Sequence, residues 1–277
     1  MGAKNSGFQQ RSGTDVPQSQ SEITMNIEEG NSYVQKTQPR QRKAATLKQS
    51  STMKKTAYER LEARIPLQIL DIREFEGRLK KLIYGKETIS VRQMQYVLSK
   101  DYEDFDDLFD EQSTLYKIMT SGTFKNDETE TEMNVQYLML FGLLYCQGSN
   151  DEKAQVLYDI FQDGLQELIS ANDKDIKDCF WRLLDMASHV IHKWSQDFGD
   201  EEVKQSGIEK LFAKNEDDLD QWKQVVETIQ EQFLDTVFDI HSKIKREEFI
   251  LTVSKKCQYL FKPQEIRKKI IQEFKNQ

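Results

Sequence analysis

The chain has 277 residues, a formal net charge of −8 and 37% hydrophobic residues. That hydrophobic share lies below the 45–50% or so of an ordinary globular domain and points to a folded body joined to a polar segment. Twelve glycines and four prolines are too few for the turn density of a β-sandwich or barrel, and an acidic net charge argues against a nucleic-acid partner.

The first 66 residues carry 11 Lys/Arg and 6 Asp/Glu, whereas residues 67–277 carry 28 and 41. Residues 1–55 read as a disordered basic tail, because Gln, Ser, Asn, Thr and Lys cannot offset the entropy of ordering. Its first residues, Met1-Gly2-Ala3-Lys4-Asn5-Ser6, fit the myristoylation pattern M-G-x-x-x-[ST], with Gly2 as acceptor once Met1 is removed. They lack the apolar stretch of a secretory signal. One acyl chain holds a membrane only marginally, with K of about 10⁴ M⁻¹, so a second signal is needed. Lys36, Arg40, Arg42, Lys43, Lys48, Lys54 and Lys55 form a cluster that suits an anionic membrane surface. Base-stacking aromatics before residue 57 are only Phe8 and Tyr33, which speaks against RNA. Thr46 and Ser51 follow basic residues; phosphate on either would weaken membrane contact.

From about Thr56 the pattern becomes helical, and the expected fold class is all-α. Leu70, Phe75, Leu79, Leu82 and Ile83 recur at helical spacing, and after a polar break at 85–88 Ile89-Ser90 opens a helix with Met94, Val97 and Leu98. A helix is expected over about 102–119 through Phe105, Leu108, Leu115 and Ile118, followed by a charged loop and a strongly apolar helix over 133–146. Its ten-residue apolar run from Tyr137 to Cys146 falls short of the roughly 18–20 residues that span a bilayer. Gln147-Gly148-Ser149-Asn150 reads as a helix stop and a new cap. Helices over 151–162, 172–194, 216–236, 246–256 and 264–275 complete the body. The plainest reading of these stripes is a helical core.

Four times a helix is followed by a short loop, one apolar residue and a new helix; the four residues are Ile89, Met133, Ile169 and Ile244. Ile244-Lys245-Arg246-Glu247-Glu248-Phe249 looks like the end of an EF-hand loop. Gly142 to Ser170, GLLYCQGSNDEKAQVLYDIFQDGLQELIS, resembles the junction of the second and third hands in the neuronal calcium sensor family. It is also similar to the EF-hand-like N-terminal region of TLDc-type proteins. The resemblance, over about residues 69–260, implies two pairs of degenerate EF-hand-like units, 56–147 and 148–277, the second with a C-terminal helix. Members of the calcium sensor family often carry an N-myristoyl group, and paired hands expose a groove for a partner's amphipathic helix.

The loops depart from the EF-hand pattern at the cation. Such a loop needs oxygen ligands at positions 1, 3, 5 and 9, Gly at 6 and Glu at 12. The first loop offers Leu82, Tyr84 and Lys86 with Gln93 at 12; the third Gln162, Gly164 and Gln166 with Asp173 at 12 and Glu167 at 6; the fourth Val237, Asp239 and His241 with Glu248 at 12. The second comes nearest, with Asn126, Glu128, Glu130 and Asn134, but has Thr131 at 6 and Tyr137 at 12. No cofactor is expected, and calcium at most weakly.

No phosphate-cradling Gly loop, G-x-S-x-G or H-E-x-x-H occurs. His189, His192 and Asp185 share a helix face but lack the further ligands of a zinc site. Cys146, Cys179 and Cys257 are odd in number and widely spaced, which speaks against a disulfide framework and for a reducing compartment. Glu103-Asp104 and Asp217-Asp218 read as solvated faces. The expected function is a non-catalytic adaptor or regulatory subunit, cytoplasmic and peripheral to a membrane, that binds a partner helix and no nucleic acid. A functional calcium sensor and a structural component of a cytoskeletal or ciliary assembly are the alternatives.

Overall fold

The structure, a computed structural model, describes residues 56–83, 87–126, 131–162, 168–198, 212, 216–239 and 241–276. Three helices start on capping boxes, in which a Ser or Thr and the Glu or Gln three residues later satisfy each other's backbone N–H groups. Thr56 and Glu59 open α1 (Ala57–Glu62), Ser90 and Gln93 open α3 (Val91–Ser99), and Ser149 and Glu152 open α6 (Asn150–Phe161). Between them lie α2 (Ile72–Ile83), α4 (Thr114–Met119) and α5 (Val135–Tyr145). Beyond them come α7 (Lys174–Asp185), α8 (Ile191–Phe198), α9 (Glu216–Phe238), α10 (Arg246–Lys256) and α11 (Pro263–Asn276). Most of the described residues are helical, as the periodicity predicts.

Two expected helices differ. Instead of one helix over 102–119, a 3-10 segment (Glu103–Phe109) precedes α4. Asp110 Oδ1 accepts from Gln112 N–H at 2.9 Å, a local turn that competes with a continuous helix. The chain breaks instead at Asp110, and Ser113 caps α4 by accepting from Tyr116 N–H. The helix expected over 172–194 runs on to Phe198 and is interrupted by a π-helical turn, Met186–Val190.

Each of the four loop-ending apolar residues is the centre of a three-residue strand. Strand β1 (Thr88–Ser90) pairs antiparallel with β2 (Glu132–Asn134), with Ile89 opposite Met133. Strand β3 (Leu168–Ser170) pairs antiparallel with β4 (Lys243–Lys245), with Ile169 opposite Ile244. Each ladder is lengthened by one bond, Val135 N–H to Glu87 O at 2.9 Å and Ala171 N–H to Ser242 O at 3.1 Å. Ribbons this short are not stable alone; here all four central side chains are buried in the helical core.

Helix α5 is apolar on every side, as befits a helix surrounded by protein, and it packs against α2, α6 and α7. Its Gly142 lets α2 approach, since a Cβ there would stand 2.6 Å from the Phe75 ring. Gly148, at φ +148°, makes the turn from α5 to α6 with no room for a side chain beside Ile72. Across the turn Gln147 N–H donates to Leu70 O and Ile72 N–H to Gln147 O, both at 2.8 Å. Trp194 of α8 sits among the rings of Phe124 and Phe141, and α11 lies on α9 and the π-turn. Met53–Gln277 thus form one compact unit whose core runs from Tyr58 to Ile270.

Candidate functional site

Several of the loop residues weighed as cation ligands are committed to other work, while Glu248 at the end of the fourth loop is exposed on α10. Asn134 Oδ1 accepts from Gln136 and Tyr137 N–H as the cap of α5, and its Nδ2 donates to Asn126 Oδ1 at 2.8 Å. Gln93 closes the cap of α3, and Asp173 accepts from Asp175 N–H at the start of α7. Val237 is buried, while Asp239, at φ +46°, turns the chain out of α9. Tyr137 lies under the Arg182 guanidinium, 3.6 Å from its ring centre. Glu128 and Glu130 lie outside the described residues. Among the described residues no three His, Cys, Asp or Glu side chains converge as a metal site.

The histidines predicted to share a face part company. His189 Nδ1 lies 3.1 Å from Asp185 Oδ1, with its ring centre 4.1 Å from that of Trp222. His192 Nδ1 is 2.8 Å from the Tyr58 hydroxyl. Both are buried. His189 is engaged by α7 and α9 and His192 by α1 within the core, which corrects the expected surface patch.

The inner apolar faces of the two strand-linked halves are filled by the chain itself. In the first half Trp194 enters against Phe124 and Phe141. In the second, Ile266 and Ile270 of α11 are buried where the helix meets α9 and the π-turn. A buried polar group pins α11. Arg267 Nη1 donates to Glu62 Oε1 at 2.7 Å and to Ala187 O at 3.0 Å, and its guanidinium lies 4.9 Å from the centre of the Tyr58 ring. Burial and the neighbouring Glu62 carboxylate push the Tyr145 hydroxyl well above its ordinary range. Sequence reasoning missed this group; its signal was Arg267 between Ile266 and Ile270 on an otherwise apolar stripe.

Lys153 is a second buried cation. Its Nζ donates to Leu143 O at 2.8 Å and to Phe261 O at 3.3 Å, tying the end of α5 to the turn before α11. Burial, helped by nearby Lys262, brings its pKa down to about 8. Burial also pushes the Cys146 and Cys179 thiols up to about 12 and Cys257 to about 11, so all three are protonated at neutral pH. A polar cleft of about 270 Å³ lies at α5 and α7, walled by Tyr137, Asp175, Asp178, Trp181 and Arg182. Its arginine is engaged by Tyr137 and by Thr123 O.

Gly2 and the basic residues Lys36, Arg40, Arg42, Lys43, Lys48, Lys54 and Lys55 lie outside the described residues, as do Thr46 and Ser51. Among the described residues no helix is long and apolar enough to cross a membrane. Comparisons with protein-family models, curated proteins and solved structures find no match for this chain.

Proposed function

We propose that this chain is a non-catalytic adaptor or regulatory subunit, built on two pairs of degenerate EF-hand-like units and held at a membrane surface by a myristoylated Gly2 and the basic tail. The observation that carries the scaffold reading is the strand register. Four helix–strand–helix units pair in order, and each pair is centred on two facing apolar residues, Ile89 with Met133 and Ile169 with Ile244. That is the arrangement an EF-hand pair uses to couple its loops. The capping roles of Asn134, Gln93 and Asp173 support a scaffold whose shape does not depend on calcium, since protein groups already hold the helix starts that follow the loops. With Trp194 and α11 over the inner faces, a partner helix gains the second groove only by displacing α11.

Flotation of the full chain with phosphatidylserine-containing liposomes tests the reading, using protein made with an active N-myristoyltransferase. The wild type co-floats, Gly2→Ala loses most of the bound fraction, and millimolar calcium changes neither. Equal flotation of the two proteins, or a terminus that retains Met1 by mass spectrometry, removes the lipid anchor. Flotation that appears only with calcium replaces the adaptor by a sensor.

A further inference from the structure

We infer that the outer face formed by α3 and the acidic 3-10 segment is a docking surface for a cationic, amphipathic protein segment. Residues 101–111 read DYEDFDDLFDE, with seven carboxylates and no basic residue. Asp101 is tied to Arg78 at 2.6 Å. Glu103, Asp104, Asp106, Asp107, Asp110 and Glu111 are all exposed, and among the described residues none is ion-paired. The two cations exposed on α3, Arg92 and Lys100, leave the segment strongly negative. Charges of one sign crowded in this way repel one another; Asp110 Oδ1 accepts from Gln112 N–H at 2.9 Å, and among the described residues no cation offsets the charge of the six. A partner of opposite sign relieves that repulsion.

The second observation is apolar. Tyr96 is 65% exposed and Phe109 58%, the two most exposed of the large apolar side chains in the described body. Both belong to this one segment. Gln95 Nε2 donates to Leu108 O at 2.7 Å, so the residues directly before Tyr96 and Phe109 are hydrogen-bonded to each other. Beneath, Met94, Leu98, Phe105 and Leu108 are buried, and Tyr102 donates to the Glu74 carboxylate at 2.9 Å. The rings therefore stand on an anchored base and lose little freedom on binding. Exposed aromatics on a rigid base are the residue types that dominate protein interfaces.

Charge sign selects the occupant. An anionic membrane is repelled by six unpaired carboxylates, and so is nucleic acid. A peptide that sets lysines around a few large apolar residues matches both features, with the charges steering the encounter and the rings holding the complex. This surface lies outside the inner grooves and does not need Gly2, so it stands whether or not the chain is lipidated.

The test is a nitrogen-15 amide titration of the full chain with a synthetic helical peptide bearing leucines at i, i+3, i+4 and i+7 and lysines elsewhere. Binding saturates, shifts cluster in residues 92–112, and affinity falls about tenfold or more in Tyr96→Ala/Phe109→Ala. Glu247→Gln/Glu248→Gln, which removes exposed carboxylates from α10, leaves affinity within about twofold. A peptide with serines for the leucines binds much more weakly. Circular dichroism and the melting temperature of each variant show that the fold is intact; these exposed positions carry little of the core. Shifts centred elsewhere, affinity unchanged in the aromatic variant, or no saturable binding would each overturn the proposal. So would anionic liposomes engaging the full chain through Tyr96 and Phe109. Loss of flotation by Gly2→Ala with peptide binding intact would separate this surface from the membrane reading.

Discussion

Lys153 shows how a single buried charge makes this fold sensitive to pH. The unfolded chain holds the lysine proton up to about pH 10.5, whereas the folded protein releases it near pH 8. Between those values the unfolded state binds more protons, so this group makes the protein more stable as pH rises. Below pH 8 the charged amine is held in the interior at a cost offset only in part by Leu143 O and Phe261 O. Relative to Lys153→Met, wild-type stability should therefore climb by on the order of 2–3 kcal/mol between pH 8 and 10.5. Denaturant titrations of both proteins at four pH values check this, and a flat difference contradicts it. Nothing in the sequence marked Lys153: it sits two residues from Asp151 at the start of a capped helix, where a lysine is ordinarily solvated. Its burial is decided by α5 and the 258–261 turn closing over it, a contact at 108 residues' separation.

At the scale of elements, α11 depends on one ion pair. Arg267 and Glu62 are both buried, and removing one partner of such a pair leaves an uncompensated charge. Arg267→Met should cost about 3–5 kcal/mol, and adding Glu62→Leu should recover most of that loss, because two apolar groups then replace a satisfied pair. Thermal melts of the single and double variants give the answer; equal instability would show that α11 is held by packing alone. The same scale sorts what could be read in advance. Helices α6, α10 and α11 lie within a residue of their predicted bounds; Ser149 caps the start of α6 and Pro263 opens α11, both local marks. So were the four apolar centres of the strands, which sit at a fixed place between loop and helix. The break at Asp110 and the π-turn at 186–190 were not legible, because the apolar spacing of Phe105, Leu108, Leu115 and Ile118 suits a continuous helix. At the break Asp110 Oδ1 accepts from Gln112 N–H and Ser113 caps the new helix. The π-turn is fixed by tertiary contact: Ala187 O accepts from Arg267, which is 80 residues away.

For the whole body, the question is whether residues 56–147 and 148–277 are two folding units or one. Each half closes its own strand pair. Against that, the Trp194 ring belongs to the second half in sequence and to the first in packing, 5.8 Å from Phe141 and 6.2 Å from Phe124. Arg182 reaches back to Tyr137 and Thr123 O, and Lys153 to Leu143 O. Shared burial of this kind couples the halves, since neither can open without exposing rings of the other. Calorimetry of the full chain should then give one transition for the body. Trp194→Ala should lower its midpoint by the loss of a buried indole, about 3–5 kcal/mol. In native-state hydrogen exchange, amides of α5 and α6 should lose protection together in that variant, although Trp194 lies in neither. Separate transitions, or loosening confined to 148–277, would mean that the interface carries little and that the two strand-linked halves fold independently. One transition would follow from the shared burial itself, with Trp194 packed on Phe124 and Phe141 and α11 packed on α9 and the π-turn.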